Sequence, residues 1–294
     1  MSANGKPAVV YFTSDISSES LVRIYEALAV ELPGRVAVKI STGEGDDSNN
    51  LSPALIAPLV TKLNATIVEA NTAYGGSRAS TASHKQIAIR RGYTAIAAVD
   101  ILDADGELEI PVNKGHTHLT KDKVGSHLTN YDSALVLSHF KGHAMAGFGG
   151  AIKNLSIGFA SASGKVRIHT AGTSDSGTIF YSDQDAFLES LAEAASAVDD
   201  YFGDNVVYIN VLNRLSVDCD CDAHPAEPDM HDLGILASTD PLAIDQASID
   251  LVYAAADAKA LPERIESRHG LHTLTYATAI GLGNSKYQLI NIDK

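Results

Sequence analysis

Short apolar runs alternate with amphipathic stretches through residues 9–91, and this alternation restricts the fold more than any other feature of the chain. Residues 9–12 read as a strand. Residues 17–31 read as a helix, with Leu21, Ile24, Leu28 and Leu32 spaced for one face. A strand over 35–40, a helix from Pro53 to residue 63, a strand over 66–70 and a helix over 80–91 continue the pattern. Strands separated by helices imply parallel βαβ units, hence an α/β protein whose parallel or mixed sheet carries helices on both faces. Residues 99–124 are more β-like, with turns at Asp105-Gly106 and Lys114-Gly115. Beyond them we expect strands at 134–137, 206–212, 233–237 and 287–292. Helices are expected over 184–201, from Asp240-Pro241 to about 258, and over 271–282. The small, polar stretch 161–182 reads as surface loop.

A chain of 294 residues can bury a full core. It reads as a single α/β unit over 1–294, with lobes of about 1–130 and 131–294 around a crevice as the subdivision to test. No apolar run approaches the roughly 18 to 20 residues of a membrane span, and the first residues lack the pattern of a signal peptide. The expectation is a cytoplasmic protein without membrane contact. A net charge of −14 argues against nucleic acid as a partner while leaving room for a local basic pocket. The two cysteines, Cys219 and Cys221, have one residue between them. At that spacing an internal disulfide is not expected, so they read as thiols or metal ligands.

The chemistry concentrates in residues 139–158, HFKGHAMAGFGGAIKNLSIG, which follow the apolar run 134–137. Glycine at this density implies backbone that turns sharply or lies close to something bound, and a strand end is where an α/β protein holds its ligand. His139 and His143 are four apart and could share a metal on a helix, but Gly142, Gly147, Gly149 and Gly150 make them loop residues. The same glycines could cradle an anion with backbone N–H groups, although no Walker A or GxGxxG pattern is present. Each histidine alone could equally be a hydrogen-bonded packing group. Cys219, Cys221 and His224 give C-x-C-x-x-H, a spacing open to a soft metal or to two packed thiols. A four-iron cluster ordinarily needs four thiolates and is not expected in this chain. Arg78, in the loop NTAYGGSR after a strand, could clamp a carboxylate or phosphate or form a surface ion pair. His84 lies a turn or two later, and Lys39 and Glu44 follow the second strand in the corresponding place.

Taken together, KISTGEG (39–45), NTAYGGSR with His84, LSHFKGHAMAGFGGAIKNLSIG (137–158), GKVRIH (164–169), DCDCD (218–222) and LGILASTDPLAIDQASIDLV (233–252) resemble one family. It is the family catalogued as domain of unknown function 362, whose members are often described as uncharacterised iron–sulfur centre proteins. Many of them carry a ferredoxin-like insert after the segment matching GKVRIH; residues 170–181 contain no cysteine, so the iron–sulfur part of that description does not transfer. A second resemblance is to the nickel-pincer lactate racemases, which have a histidine, a lysine ten residues on and a further histidine sixteen beyond. His143, Lys153 and His169 reproduce both separations. What this implies is an acid/base role for His143, a cofactor tether at Lys153 and a metal ligand at His169. The racemases' other catalytic histidine has no clear match, as His84 and Arg78 occupy only the general region.

The resulting expectation is an enzyme with a metal or cofactor site built on His143, Lys153 and His169, transferring a proton or hydride on a small anionic molecule. Lys39, Arg78, His84, Gly149 and Gly150 are the expected ligand-binding residues. His169, His139, Cys219 and Cys221 are the candidate ligands of a transition metal such as nickel, iron or zinc. The contrasting reading is a non-catalytic metal or small-ligand binding protein accessory to a redox partner, with a homo-oligomer left open. A third is a purely structural role in which the histidines and glycines serve packing.

Overall fold

The computed structural model describes residues 6–45, 48–177 and 182–293. In chain order the first part runs β1 (Ala8–Thr13), α1 (Ser18–Ala27), β2 (Val36–Lys39), α2 (Pro53–Lys62), β3 (Thr66–Glu69), α3 (Thr81–Arg90) and β4 (Val99–Ile101). A side hairpin, β5 (Glu107–Pro111) and β6 (Lys121–Gly125), precedes the central strand β7 (Ser133–His139). A small hairpin follows, β8 (Lys141–His143) and β9 (Gly147–Gly149), leading into α4 (Ala151–Phe159), α5 (Ala162–His169) and α6 (Gln184–Phe202). The remainder is β10 (Val206–Leu212), β11 (Gly234–Ser238), α7 (Pro241–Ala254), α8 (Ala260–Ser267), α9 (Leu271–Ile280) and β12 (Tyr287–Asn291).

Local chemistry sets the helix starts. Ser17, Ser52 and Ser80 each accept a backbone N–H from the first turn of the helix that follows, and Pro53 opens α2, where a missing N–H costs nothing. Asp240 does the same for α7, accepting from the N–H groups of Leu242 and Ala243.

Eight strands form one mixed sheet in the order β12-β1-β11-β10-β7-β2-β3-β4. β11 is antiparallel to both neighbours, and the other pairs are parallel. β7 and β10 are buried along their whole length, as a strand covered on both faces must be. Their side chains alternate between two cores. Ala134 and Val136 join the core beneath α4, α6 and α7, and Leu135 and Leu137 join the one beneath α1 and α2.

The connections leave two adjacent strands in opposite directions. From β2 the chain crosses through α2 to β3, and from neighbouring β7 it crosses through α4, α5 and α6 on the other face to β10. The carboxyl ends of β2 and β7 therefore diverge, which opens a crevice at the position where α/β sheets bind ligands.

Two sequence expectations need correction. The stretch 161–182 is not surface loop throughout: residues 162–169 form α5, with Ser161 accepting the Gly164 N–H as its cap. Its helical period is hidden because Lys165 and His169 occupy buried positions normally read as polar. Residues 178–181 of that stretch lie outside the described residues. The helix begun at Pro241 ends at Ala254, and a separate helix, α8, follows. Among the described residues no helix is long and apolar enough to cross a membrane.

Candidate functional site

A cavity of about 320 Å³ occupies the crevice. Strand ends supply its floor, with Lys39 from β2, Glu69 from β3 and His139 from β7; His143 of β8, Lys153 of α4 and His169 of α5 line its walls. The three residues singled out by their spacing thus face one hollow.

Glu69 organises the first half of the floor. Its carboxylate accepts from Lys39 Nζ at 2.9 Å and Arg78 Nη1 at 3.3 Å, and His84 Nε2 lies 3.7 Å away. Arg78 also donates through Nε to Glu44 at 3.0 Å and through Nη2 to the Tyr74 hydroxyl at 3.1 Å. Burial alone would raise the Glu69 carboxyl, but the Lys39 cation, with His84 and Arg78, holds it well below its ordinary value. Sequence reasoning missed Glu69, although its place at a strand end was the available signal. Lys39, Arg78 and His84 are brought together here, with the Lys39 and Arg78 charges spent on the protein's own carboxylates.

Asp220 organises the second half. It accepts from His139 Nδ1 and from Lys141 Nζ, both at 2.8 Å, and His139 Nε2 donates to the Asn213 carbonyl at 2.6 Å. Both ring nitrogens of His139 therefore face oxygen atoms of the protein itself, a placement the sequence did not disclose. The reason is tertiary, since Asp220 comes from a loop beyond β10.

His143 and His169 meet opposite environments. The Nδ1 of His143 accepts from the backbone N–H groups of Met145 at 3.2 Å and Ala146 at 2.9 Å, so its remaining proton sits on Nε2. Burial, followed by the charge of Lys153, keeps this ring neutral well below the usual histidine range. The Nδ1 of His169 donates to the Lys165 carbonyl at 2.7 Å, which leaves a lone pair on Nε2. The ring stacks on Phe187 with centroids 4.7 Å apart, and burial pushes its pKa down to about 4.

Lys153 has no hydrogen-bond acceptor or carboxylate within reach among the described residues. Burial and then the Lys141 cation lower its pKa to about 7. Lys165, which the sequence reading did not name as a site residue, also lines the cavity; it donates to the Ala160 carbonyl at 2.6 Å, and burial lowers its pKa to about 8.

Gly149 and Gly150 line the cavity, and the helix that follows them is capped from elsewhere in the chain. The first N–H groups of α4, from Ala151 and Ile152, donate to the Asp245 carboxylate at 2.7 and 2.9 Å. A side chain on Gly150 would run into that same carboxylate. A Cβ on Gly149 would sit 3.5 Å from Lys153 Cδ and 3.8 Å from Lys141 Cε, so the small residue lets two lysine stems pass side by side. The helix terminus that was free to hold an anion on paper is filled by a residue from α7.

Cys219 and Cys221 are joined to each other, contrary to the sequence expectation. A turn closed by the Asp222 N–H on the Cys219 carbonyl brings their Cα atoms to 5.1 Å, inside the range a disulfide spans. Both line the cavity, and their sulfurs lie within 4.8 Å of a His143 ring nitrogen, a grouping whose residue types are compatible with a metal. The backbone bonds to His143 Nδ1 argue against that ring as a ligand, because coordination at Nε2 would need the proton moved to a nitrogen already facing two N–H groups.

The chain belongs to the family described as "Domain of unknown function (DUF362)", whose profile matches residues 36–250. No curated protein matches it. Among solved structures it is similar to the lactate racemase apoprotein from Thermoanaerobacterium thermosaccharolyticum, at 16% identity and a TM-score of 0.39, over 68% of this chain and 50% of that one. It is also similar to a protein from Thermotoga maritima, at 11% identity and a TM-score of 0.46, over 86% of this chain and 58% of that one. The chain therefore spans half the length of the first structure and little more than half of the second.

Proposed function

We propose that this DUF362 protein is an enzyme that binds a small organic anion in the cavity and moves a proton on it. The observation that carries the reading is the charge count of the lining among the described residues: five Lys and Arg side chains against two carboxylates, Glu69 and Asp220. Those carboxylates are committed to Lys39, Arg78 and Lys141, so Lys153 and Lys165 are the two cations left for a ligand. An anion entering the cavity supplies the missing charge, and it does so where water is scarce and the attraction strong.

The two imidazoles then have separate work. His169 presents a lone pair and acts as the base, and the negative charge of the ligand beside it raises its basicity. His143 presents Nε2–H and polarises an oxygen of the ligand as a neutral donor.

The residues also fit the cofactor that the racemase resemblance implies. Lys153 would hold it through its amine and His169 through Nε2, and such a group supplies an electron-accepting centre when bound. The Nε2 of His169, without a partner among the described residues, is the observation favouring this second reading. The cysteine pair, once reduced, is the other candidate for a soft metal.

Calorimetric titration with small 2-hydroxy and 2-oxo carboxylates tests the proposal. Binding is expected, and Lys165→Gln is expected to weaken it by about tenfold or more. Deuterium from solvent should enter the bound carbon acid in the wild type and not in His169→Ala. Binding without exchange would instead mark a non-catalytic ligand-binding protein, and no binding would contradict the reading altogether.

A further inference from the structure

We infer that the amine of Lys153 is a nucleophile that forms an imine with the carbonyl group of a small keto acid. This rests on the anion-binding reading above and names its substrate class. Three features of the cavity point to it.

Among the described residues, Lys153 alone of the cavity lysines has neither a carboxylate nor a carbonyl acceptor within hydrogen-bond reach, so its nitrogen lone pair is not diverted once the proton is lost. Its stem runs beside that of Lys141 over Gly149, and the neighbouring cation disfavours the protonated amine. A desolvated lysine next to another cation is the arrangement that makes an amine reactive near neutral pH. The second feature is His143, whose Nε2–H can hydrogen-bond a carbonyl oxygen, while its fixed tautomer keeps it from competing for the amine's proton. The third is Lys165, a separate cation on the next helix that can hold a carboxylate while Lys153 reacts with the carbonyl.

The step balances without an added oxidant or reductant. The amine lone pair forms the C–N bond as the carbonyl π pair moves onto oxygen beside His143. One proton passes from nitrogen to that oxygen, a second comes from solvent, and water leaves to give the protonated imine. His169 Nε2 then takes the proton from the adjacent carbon, whose bonding pair shifts toward the imine nitrogen as the enamine forms. Returning a solvent proton and water restores the amine and the keto acid, with the carbon-bound hydrogen exchanged.

The test is reductive trapping of the full chain with pyruvate and cyanoborohydride, read by intact mass and peptide mapping. The expected adduct has the mass of pyruvate less one oxygen atom and lies on Lys153, labelled at least about tenfold above any other lysine. Acetone, which lacks the carboxylate, should label it about tenfold less under the same conditions. Lys153→Arg keeps a cation at the position and should lose the adduct, and circular dichroism of that variant confirms that it folds. Pyruvate binding by calorimetry without any trapped adduct would overturn this inference and leave the anion-binding reading standing. Absence of pyruvate binding would remove both. Labelling spread evenly over surface lysines, or an isolated protein whose Lys153 already carries another group, would likewise overturn it.

Discussion

His143 and His169 line the same cavity and differ in which nitrogen is left over. Backbone N–H groups hold one ring by Nδ1, and a backbone carbonyl holds the other, so the first ring is a donor at Nε2 and the second an acceptor. The cysteine pair shows the same dependence on immediate neighbours. Asp220, the residue between the cysteines, is fixed by His139 and Lys141, and the turn around it brings the two sulfurs together. A bridge between residues two apart constrains the unfolded chain little, about 1.5 kcal/mol on the chain-entropy relation. Native protein kept free of reductant should therefore take up no iodoacetamide, and reduced protein should take up one group on each cysteine. The free energy of urea unfolding should fall by about 1 to 2 kcal/mol on reduction, and a fall above about 4 kcal/mol would show that the bridge braces the fold. The spacing of residues 143, 153 and 169 was legible in the sequence because one stretch of chain carries all three. The tautomers were not, since their partners are backbone atoms, and neither was the bridge, since a one-residue spacing does not disclose the turn.

At the scale of elements, α4 carries Lys153 into the cavity, and its start is built from a distant part of the chain. Asp245 of α7 accepts the N–H groups of Ala151 and Ile152 and the Asn210 amide at 2.8 Å. Asp245→Ala would leave those buried donors without partners, at a cost of about 3 kcal/mol, measurable as a lower urea midpoint with an unchanged slope. A cost below about 0.5 kcal/mol would mean that the terminus is satisfied in some other way. The βα units of residues 8–101 were readable from apolar spacing, because each buries one regular face. α4 was obscured by the glycines before it and α5 by its buried polar residues, so neither could be read without knowing what packs against it. Gly149 and Gly150 were legible as lining residues, while the Asp245 carboxylate behind them was not.

At the scale of the molecule, an acidic chain concentrates cationic side chains in one crevice at the divergence of β2 and β7. Strand-and-helix alternation made the sheet legible, and with it the expectation that function lies at the strand ends. How the charges cancel was not legible, because Glu69 and Asp220 reach their cations only when separate strands and loops assemble. That cancellation singles out Lys153, and competitive acetylation with acetic anhydride, followed lysine by lysine across pH, tests it most directly. A pKa lowered from 10.5 means that the proton leaves earlier as pH rises, so the reactive neutral amine is already populated near neutrality. Lys153 is predicted to label with a midpoint at about pH 7 and to be protected by a bound small carboxylate. A midpoint at its ordinary 10.5, unmoved by any anion, would contradict the account.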